Sequence, residues 1–507
     1  MTERTTIDVT SADELRERTA TLLGEGFRLA LVAAHHDLAP TGDDAQARGD
    51  GQIRVVYLFT AGPPDRRREL VWRTDAAAPV VPSIAALSFP GSRFEREMQD
   101  LYGVRPDGHP MPRPLVHHPH WPEGWYPMRH DAGPRPPLQA HRPFPFLTVA
   151  GDGVYEIPVG PVHAGLIEPG HFRFSVVGET ILRLKARLWY VHKGIEKLAE
   201  GRTVLENLPL AERISGDTAV GHALAYCLAV EDALGIEVDP DVAAVRSVLL
   251  ELERLHNHVA DIGAICNDVA FGIAHAHAQR IRETLLRLNQ AVTGHRLLRG
   301  GVVPGGAHLA TVPDVRTVAT AARDLAEVVA YALDHSVVRE RLTGTAVLTT
   351  DQARDTGALG YVARASGLAY DARVAHPFLT GGPEVTVATR DTGDVLARFL
   401  VRADEAQHSA ALVQALAPAR PSGRVGVADI GPAGDATRSG VGIVEGWRGT
   451  IVHRVEIGPD GRLRRWKIVD PSFLTWPALP LAMADTIVPD FPLANKSFNL
   501  SYAGNDL

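Results

Sequence analysis

The sequence predicts an α+β fold, in which a small N-terminal α+β domain precedes a mainly α-helical bundle domain with peripheral β-sheets. Three observations predict it. The first part of the chain has strand-like alternation, a proline-rich stretch follows, and the second part has a long apolar repeat of three to four residues. At 507 residues, with 45% hydrophobic and 22% charged residues, the chain is long enough for two or three sizeable cores.

The predicted first domain covers residues 1–130. Its segments 52–60 and 68–74 have the composition of strands, and the segment 92–104 has the spacing of an amphipathic helix. Residues 131–149 are rich in proline, which indicates a semi-rigid linker. We therefore expect an independent domain on each side of this linker.

The predicted second domain covers residues 150–507 and opens with strands and a loop at 154–178. An apolar repeat follows between Asp239 and Arg299, as expected for the core helices of a bundle. The repeat is carried by Leu249, Leu252, Leu255, Val259 and Ile262. Three further elements are predicted: a helix capped by Asp314 that runs to about Thr343, a helix from about 393 to 417, and a hairpin at 450–470 around Pro-Asp-Gly.

The composition excludes several classes of protein. A formal charge of -8 leaves no basic surplus to neutralise phosphates, so we expect no nucleic-acid partner. The N-terminus is polar and the chain has no apolar run of about 18 residues, so we expect a cytoplasmic protein without a signal peptide or membrane span. Only Cys227 and Cys266 are present, so this chain alone cannot hold an iron–sulfur cluster. Such a cluster would have to come from a partner.

The segment Glu212–His222 is unusually polar for a connection between two apolar, helix-like segments. Its polar residues are Arg213, Ser215, Asp217, Thr218 and His222. Burying so many polar groups without partners would cost several kcal/mol. We therefore predict that this segment belongs to a functional site.

Several motifs resemble one family of respiratory proteins. The segment 152–201 resembles the opening of the large subunit of energy-converting [NiFe] hydrogenases and of the 49-kDa-type subunit of complex I, and the resemblance extends over nearly all of 150–507. The later motifs are ERISGDTAVGHALAYCLAVEDALGI, LLELERLHNHVADIG, GYVARASGLAYDARVAHPF and RRWKIVDPSFLTWPAL. In the first domain, FEREMQDLYGVRPDGHP resembles the 30-kDa-type subunit of complex I, which formate hydrogenlyase and hydrogenase-4 complexes fuse to the large subunit.

The resemblance implies that the metal ligands of the hydrogenases are missing here. In those enzymes two C-x-x-C pairs supply four thiolates to nickel and iron, because soft sulfur suits these metals. The matching positions in this sequence are Ser215, Thr218, Ser501 and Gly504. The chain is therefore not expected to be an active [NiFe] hydrogenase or to bind a metal. Only three residues follow Gly504, so we expect no tail to be removed on maturation.

The quinone chemistry of complex I is also incompletely supported. The tyrosine that would bind the quinone headgroup falls on Gly216. At other positions, this sequence keeps ionisable residues that match those of the family. Glu168 matches a proton-transfer glutamate, His222 matches a histidine near the metal site, and the charged residues Arg364, Asp371 and Arg373 match residues that line the cavity. The alternative is that these residues form structural ion pairs.

Asp217 is not part of the family pattern. Beside Ser215, Thr218 and His222 it could restore a polar, protonatable pocket where the metal was. We expect Glu168 to be a buried acid that shares proton supply with His222 and Asp217.

The resemblance predicts a peripheral-arm subunit of a membrane-bound oxidoreductase complex. Electrons would pass from a partner [4Fe–4S] cluster to a quinone or another small acceptor, coupled to ion translocation; the alternative is a redox-silent scaffold or proton-coupling subunit. The implied partners are a 20-kDa-type Fe–S small subunit beside the turn that contains Arg213, a ferredoxin-like subunit and antiporter-like membrane subunits. The expected location is the inner face of the cell membrane.

The resemblance also makes a geometric prediction. Ser215 and Ser501 are far apart in sequence, but a pocket descended from a metal site should bring them within about 15 Å of each other. We expect the C-terminal segment to be buried against Thr218, with Glu168, His222 and Arg364 around it.

Overall fold

A computed structural model describes residues 3–37, 51–140, 143–163, 167–417, 423–425 and 435–507, the three residues 423–425 by their backbone only. The chain divides into two compact units, Met1–Thr148 and Val149–Leu507. His141 and Arg142, within the predicted linker, lie outside the described residues. No helix in the described ranges is both long enough and apolar enough to cross a bilayer.

The first unit is built on a four-stranded sheet. Its elements are β1 (Glu3–Val9), α1 (Ala12–Gly24), β2 (Arg28–Asp37), β3 (Gln52–Ala61), β4 (Arg66–Asp75), β5 (Val80–Pro82), α2 (Phe89–Tyr102) and β6 (Arg105–Asp107). The sheet has the order β1-β4-β3-β2, with β1 parallel to β4 and the other pairs antiparallel, while β5 and β6 pair separately. Helix α2 begins after its N-cap Ser88 and ends at Tyr102, and the C-cap Gly103 that follows has a φ of 74°, which favours glycine. The two strands and the helix predicted in this unit are confirmed.

The second unit combines a helical bundle with small sheets. Its elements from Val154 to Asp334 are β7 (Val154–Val159), β8 (His171–Val177), β9 (Thr180–Arg187), α3 (Ile195–Ala199), α4 (Val204–Ala211), α5 (Ala219–Leu234), α6 (Pro240–Asp268), α7 (Gly272–Thr293), β10 (Val302–Val303), β11 (Gly306–Leu309) and α8 (Val315–Asp334). The remaining elements are α9 (Ser336–Leu342), α10 (Thr350–Thr356), α11 (Gly360–Ala365), α12 (Ala372–Ala375), α13 (Val395–Leu416), β12 (Gly423–Val425), β13 (Arg438–Gly446), β14 (Gly449–Ile457), β15 (Leu463–Val469), α14 (Pro471–Thr475), α15 (Ala478–Ala482), α16 (Phe491–Phe498) and α17 (Tyr502–Asp506).

Helices α6, α7, α8 and α13 form the bundle, and α6 packs against both α7 and α13. The five apolar side chains that predicted α6 are all buried, so the apolar repeat identified the core-facing side correctly. The helix predicted from Asp314 to about Thr343 is interrupted. Helix α8 ends at Asp334, because His335 has an extended backbone and its side chain accepts a hydrogen bond from Val338 N at the start of α9.

A three-stranded antiparallel sheet, β13-β14-β15, lies directly against α5. The close approach depends on glycines in β13. A Cβ on Gly442 would collide with the carbonyl oxygen of Ala225 and lie 2.7 Å from the nitrogen of Ala229. Glycine is therefore required where the helix backbone crosses the strand. This contact fixes the position of α5 against β13.

Candidate functional site

The polar segment Glu212–His222 forms the turn between α4 and α5. Thr218 occupies the N-cap position of α5, but its side chain makes no capping hydrogen bond. The cap comes from α6 instead, since Glu253 accepts hydrogen bonds from Val220 N at 2.6 Å and from Gly221 N at 2.9 Å. Burial raises the pKa of Glu253 to about 8, although these two amides oppose the shift. The two hydrogen bonds of Glu253 thus connect the turn to helix α6 of the bundle.

The predicted convergence of Ser215 and Ser501 is confirmed. Their Oγ atoms lie 2.8 Å apart, although 286 positions separate them in the sequence. Ser501 caps α17 and accepts a hydrogen bond from Gly504 N at 2.9 Å, while Ser215 donates to Asp217 at 3.0 Å. The Ser501 proton is therefore left to bind Ser215, and both hydroxyl groups are satisfied within the chain.

Asp217 forms a bidentate ion pair with Arg448, with both N–O distances at 2.6 Å. It also accepts a hydrogen bond from Thr218 Oγ1 at 3.1 Å. Burial raises the pKa of Asp217, but the Arg448 charge and the hydrogen bonds outweigh it and lower that pKa to about 2. Asp217 is therefore ionised, which favours an anchoring role over the proton-donor role expected from the sequence. Its side chain is 39% exposed at the rim of the site.

The space beside Gly504 is filled by Asp470. A Cβ built on Gly504 would lie 2.8 Å from Asp470 Oδ1 and closer still to Oδ2. The carboxylate is held in place by Ser472 N, which donates to Oδ1 at 2.7 Å, and by His222 Nε2, which lies 3.0 Å from Oδ2. Any side chain at position 504 would have to displace this carboxylate.

His222 lies fully buried between Asp470 and a second histidine. Its Nδ1 is 3.0 Å from Nε2 of His453, and Nδ1 of His453 accepts a hydrogen bond from Trp466 Nε1 at 3.3 Å. Burial lowers the pKa of His453 well below its usual range. For Asp470, burial raises the pKa, but the hydrogen bond from His222 and the charge of Arg448 lower it overall.

Glu168 reaches the site from outside. Its carboxylate Oε2 accepts a hydrogen bond from Ala503 N at 2.9 Å, so it does contact the C-terminal segment as expected. The residue is exposed in this chain, which corrects the expectation of a buried acid. Ile167, the residue before it, is also exposed. Gly216 and Arg213 are also exposed on the turn.

Arg364, Asp371 and Arg373 belong to a separate buried cluster of charges. The glutamates that complete it are Glu251, Glu405 and Glu445. Arg364 lies 2.8 Å from Glu405 and 2.7 Å from Glu445, and Arg373 lies 2.7 Å from Asp371. None of the hydrogen bonds described for these three residues reaches Ser215 or Ser501. The ion-pair alternative therefore fits Arg364, Asp371 and Arg373 better than a place around the serines.

Arg373 and Glu251 do line a cavity of about 290 Å³. Its other walls come mainly from residues 374–385 and from the C-terminal end of α13, where Leu412 and Leu416 lie. This cavity is thus lined by a different set of residues from the turn and the C-terminal segment.

Sequence reasoning missed Arg448, His453, Asp470 and Glu253 as residues of the site. Asp470 carried a usable signal, because Asp-Pro-Ser after a strand predicts an N-cap with proline in the first helical turn, and Asp470 caps α14 in this way. His453 and Arg448 carried none, since each lies in a hairpin and meets its partner more than 200 positions away.

Three segments match known families. Residues 10–137 match the family described as respiratory-chain NADH dehydrogenase, 30 Kd subunit. Residues 268–433 match the family described as respiratory-chain NADH dehydrogenase, 49 Kd subunit. Residues 193–262, which include the turn, match the family described as nickel-dependent hydrogenase.

Whole-chain similarity agrees with these matches. The chain is 33% identical to formate hydrogenlyase subunit 5 of Escherichia coli K12 over 445 residues, which are 85% of this chain and 78% of the relative. It is 33% identical to hydrogenase-4 component G of the same organism, over 81% of this chain and 73% of the relative. It is 31% identical to the NADH-quinone oxidoreductase C/D protein of Phocaeicola vulgatus, over 69% of this chain and 72% of the relative.

A solved structure shares the fold. A chain of the membrane-bound sulfane sulfur reductase, an archaeal respiratory membrane complex, superposes with a TM-score of 0.65 at 24% identity, over 71% of this chain and 100% of that chain.

Proposed function

We infer the function of this chain from its family, since it belongs to the family that fuses a complex I 30-kDa-type domain to a 49-kDa-type domain, like formate hydrogenlyase subunit 5 and the NADH-quinone oxidoreductase C/D protein. On this basis we propose that it is a peripheral subunit of a membrane-bound complex related to complex I and to the hydrogenases. Family membership supports this role because the relatives are themselves named as parts of such enzymes.

The residues present do not fit a nickel–iron centre. Ser215, Thr218 and Ser501 offer neutral hydroxyl groups, which are poor ligands for nickel, and Gly504 offers no side chain. Ser215 and Ser501 are already hydrogen-bonded to each other at 2.8 Å, and Asp470 fills the space beside Gly504. We therefore propose that the site is a degenerate metal site, and no catalytic step is assigned to a metal there.

The function that the geometry supports best is a redox-silent scaffold or proton-coupling subunit of that complex. One observation carries this proposal: the positions of the former ligands are closed by the chain's own groups. Ser501, Ser215 and Asp217 form a continuous set of hydrogen bonds that ends on Arg448, so neither serine hydroxyl is left unpaired to bind an acceptor.

The partners follow from the family. We propose an Fe–S small subunit of the 20-kDa type, whose [4Fe–4S] cluster lies beside the exposed residues Arg213 and Gly216, together with a ferredoxin-like subunit and antiporter-like membrane subunits. The chain itself would bind the membrane only through these partners, on the cytoplasmic face.

A second candidate function is the reduction of a quinone or another small acceptor at the rim of the same site. The exposure of Gly216, of Glu168 and of 39% of the Asp217 side chain favours it, because an acceptor could reach the turn from outside. In this alternative, Glu168 supplies protons and the partner cluster supplies electrons.

The two candidates are separated by an experiment on the whole complex. The complex is reduced, and reoxidation of its clusters by quinones and small acceptors is followed by electron paramagnetic resonance. The variant is Ser215→Ala with Ser501→Ala, which removes the hydrogen bond between the two serines together with the Ser501 cap on Gly504 N and the Ser215 bond to Asp217. The control is Ser366→Ala, another buried serine whose hydroxyl bonds backbone carbonyls.

A redox-silent site predicts reoxidation rates within about twofold of the wild type for both variants. Reduction at this site predicts a selective loss of roughly 10²-fold in the double variant, because the serines position Asp217 and the C-terminal segment that contacts Glu168, and a misplacement of about 1 Å can cost that much. A selective loss of that size would overturn the redox-silent assignment.

A further inference from the structure

Four buried groups form one hydrogen-bonded column behind the turn. Trp466 in β15 donates to His453 in β14 at 3.3 Å, His453 lies 3.0 Å from His222 in α5, and His222 lies 3.0 Å from Asp470 at the cap of α14. All four side chains are at most 1% exposed. The column ends on the carboxylate that fills the space beside Gly504.

The register of the hairpin sets the first contact. Val455 is opposite Trp466 and His453 is opposite Ile468, so His453 and Trp466 are diagonal neighbours on one face of the sheet. The two histidine rings are nearly parallel, with an interplanar angle of 29°, and their facing nitrogens are 3.0 Å apart. These positions are fixed by backbone pairing and by the packing of α5 on the sheet.

The indole N–H determines which ring nitrogen of each histidine carries the proton. An indole N–H can only donate, so Nδ1 of His453 must accept and carry no proton. The proton of His453 is then on Nε2 and is donated to Nδ1 of His222. The proton of His222 is in turn on Nε2 and is donated to Asp470 Oδ2. One permanent donor thus assigns the tautomer of both histidines.

We propose that the indole N–H of Trp466 keeps His453 and His222 neutral, each with its proton on Nε2. Asp470 is thereby held as a carboxylate beside Gly504, the position of the missing fourth metal ligand. A proton added to His222 would sit on Nδ1 and face the N–H of His453. Its accommodation would require His453 to move its own proton to Nδ1, where the indole N–H already points. The column therefore takes up no further proton while Trp466 is in place.

The surrounding charges act in the same direction. Arg448 and Lys193 both place positive charge near Asp470 and disfavour an additional proton in its vicinity. Tyr226, which packs on Trp466, donates its hydroxyl to the carbonyl of Val204 and is not part of the column.

The test is histidine titration in the full-length chain by ¹⁵N NMR, with His453→Gln and His222→Gln used to assign the two signals. In the wild type, both residues should show a protonated Nε2 and a bare Nδ1 throughout the range from about pH 8 to pH 5.5, below the ordinary pKa of histidine. An imidazolium signal or a protonated Nδ1 on either residue anywhere within that pH range would overturn the proposal without any tryptophan variant.

The role of the indole N–H is tested by Trp466→Phe, which removes this donor. When the titration is continued to lower pH until His453 takes up a proton, the midpoint in Trp466→Phe should lie about one unit above the wild-type midpoint, the equivalent of one net hydrogen bond. Trp476→Phe is the matched control, because Trp476 is also buried and donates to the carbonyl of Ser501 at 3.2 Å rather than to a histidine. Equal titration in the wild type and both variants would show that Trp466 only fills space.

Discussion

Substitution of Gly504 by alanine tests how Asp470 occupies the former ligand position. The added Cβ would overlap the Asp470 carboxylate, which is held by Ser472 N at 2.7 Å and His222 Nε2 at 3.0 Å. Overpacking of this kind costs about 1–3 kcal/mol, and each hydrogen bond to a charged group that is lost costs about 1.5–3 kcal/mol. After partial relaxation, we expect Gly504→Ala to lower the free energy of unfolding by about 3–5 kcal/mol.

The assay is urea denaturation of the full chain, with hydrogen exchange of peptides from 470–507 used to separate the second unit from the first. Asp470→Ala should relieve the overlap, so that the double variant costs little more than Asp470→Ala alone and the coupling energy reaches about 2–4 kcal/mol. Gly272→Ala serves as control, since nothing lies within 4 Å of a Cβ at that position. A cost below about 1 kcal/mol for Gly504→Ala, with no coupling to Asp470, would refute the reasoning.

Three further predictions concern the rim, the proton path and the sheet. The ion pair with Arg448 lowers the pKa of Asp217 to about 2, so the ion pair stabilises the fold above about pH 4 and this stabilisation is lost as the pH falls towards 2. The difference in unfolding free energy between the wild type and Asp217→Asn should therefore shrink between about pH 4 and pH 2. Glu168→Gln should abolish turnover-linked proton movement in the complex while the small subunit still co-purifies, and loss of assembly would assign Glu168 a structural role. Gly442→Ala should destabilise the second unit by about 3 kcal/mol or more in the same denaturation assay, because α5 cannot move away from β13 without losing its packing.

Local patterns in the sequence were sufficient for most of the fold. The apolar repeat around Leu249 and Leu255 specifies a buried helix face, and Pro-Asp-Gly specifies the turn of the β14-β15 hairpin. The break between α8 and α9 was missed, because the side chain of His335 caps the new helix and histidine is not among the preferred N-cap residues.

The approach of Ser215 to Ser501 could be predicted only through the resemblance to a four-thiolate site. Their new partners could not. Arg448 meets Asp217 across 231 positions and Asp470 meets His222 across 248, and no periodicity or spacing connects such residues. The exposure of Glu168 was likewise outside the reach of sequence patterns, since it depends on where the loop before β8 lies on the folded unit.

The central claim is that the former metal position is closed by the chain's own hydrogen bonds and carboxylate. It is tested most directly by elemental analysis of the complex, purified with its partner subunits from cells supplied with nickel. Because no thiolate set exists to hold the metal, the account predicts iron from the partner clusters but no stoichiometric nickel. About one nickel per chain would contradict it.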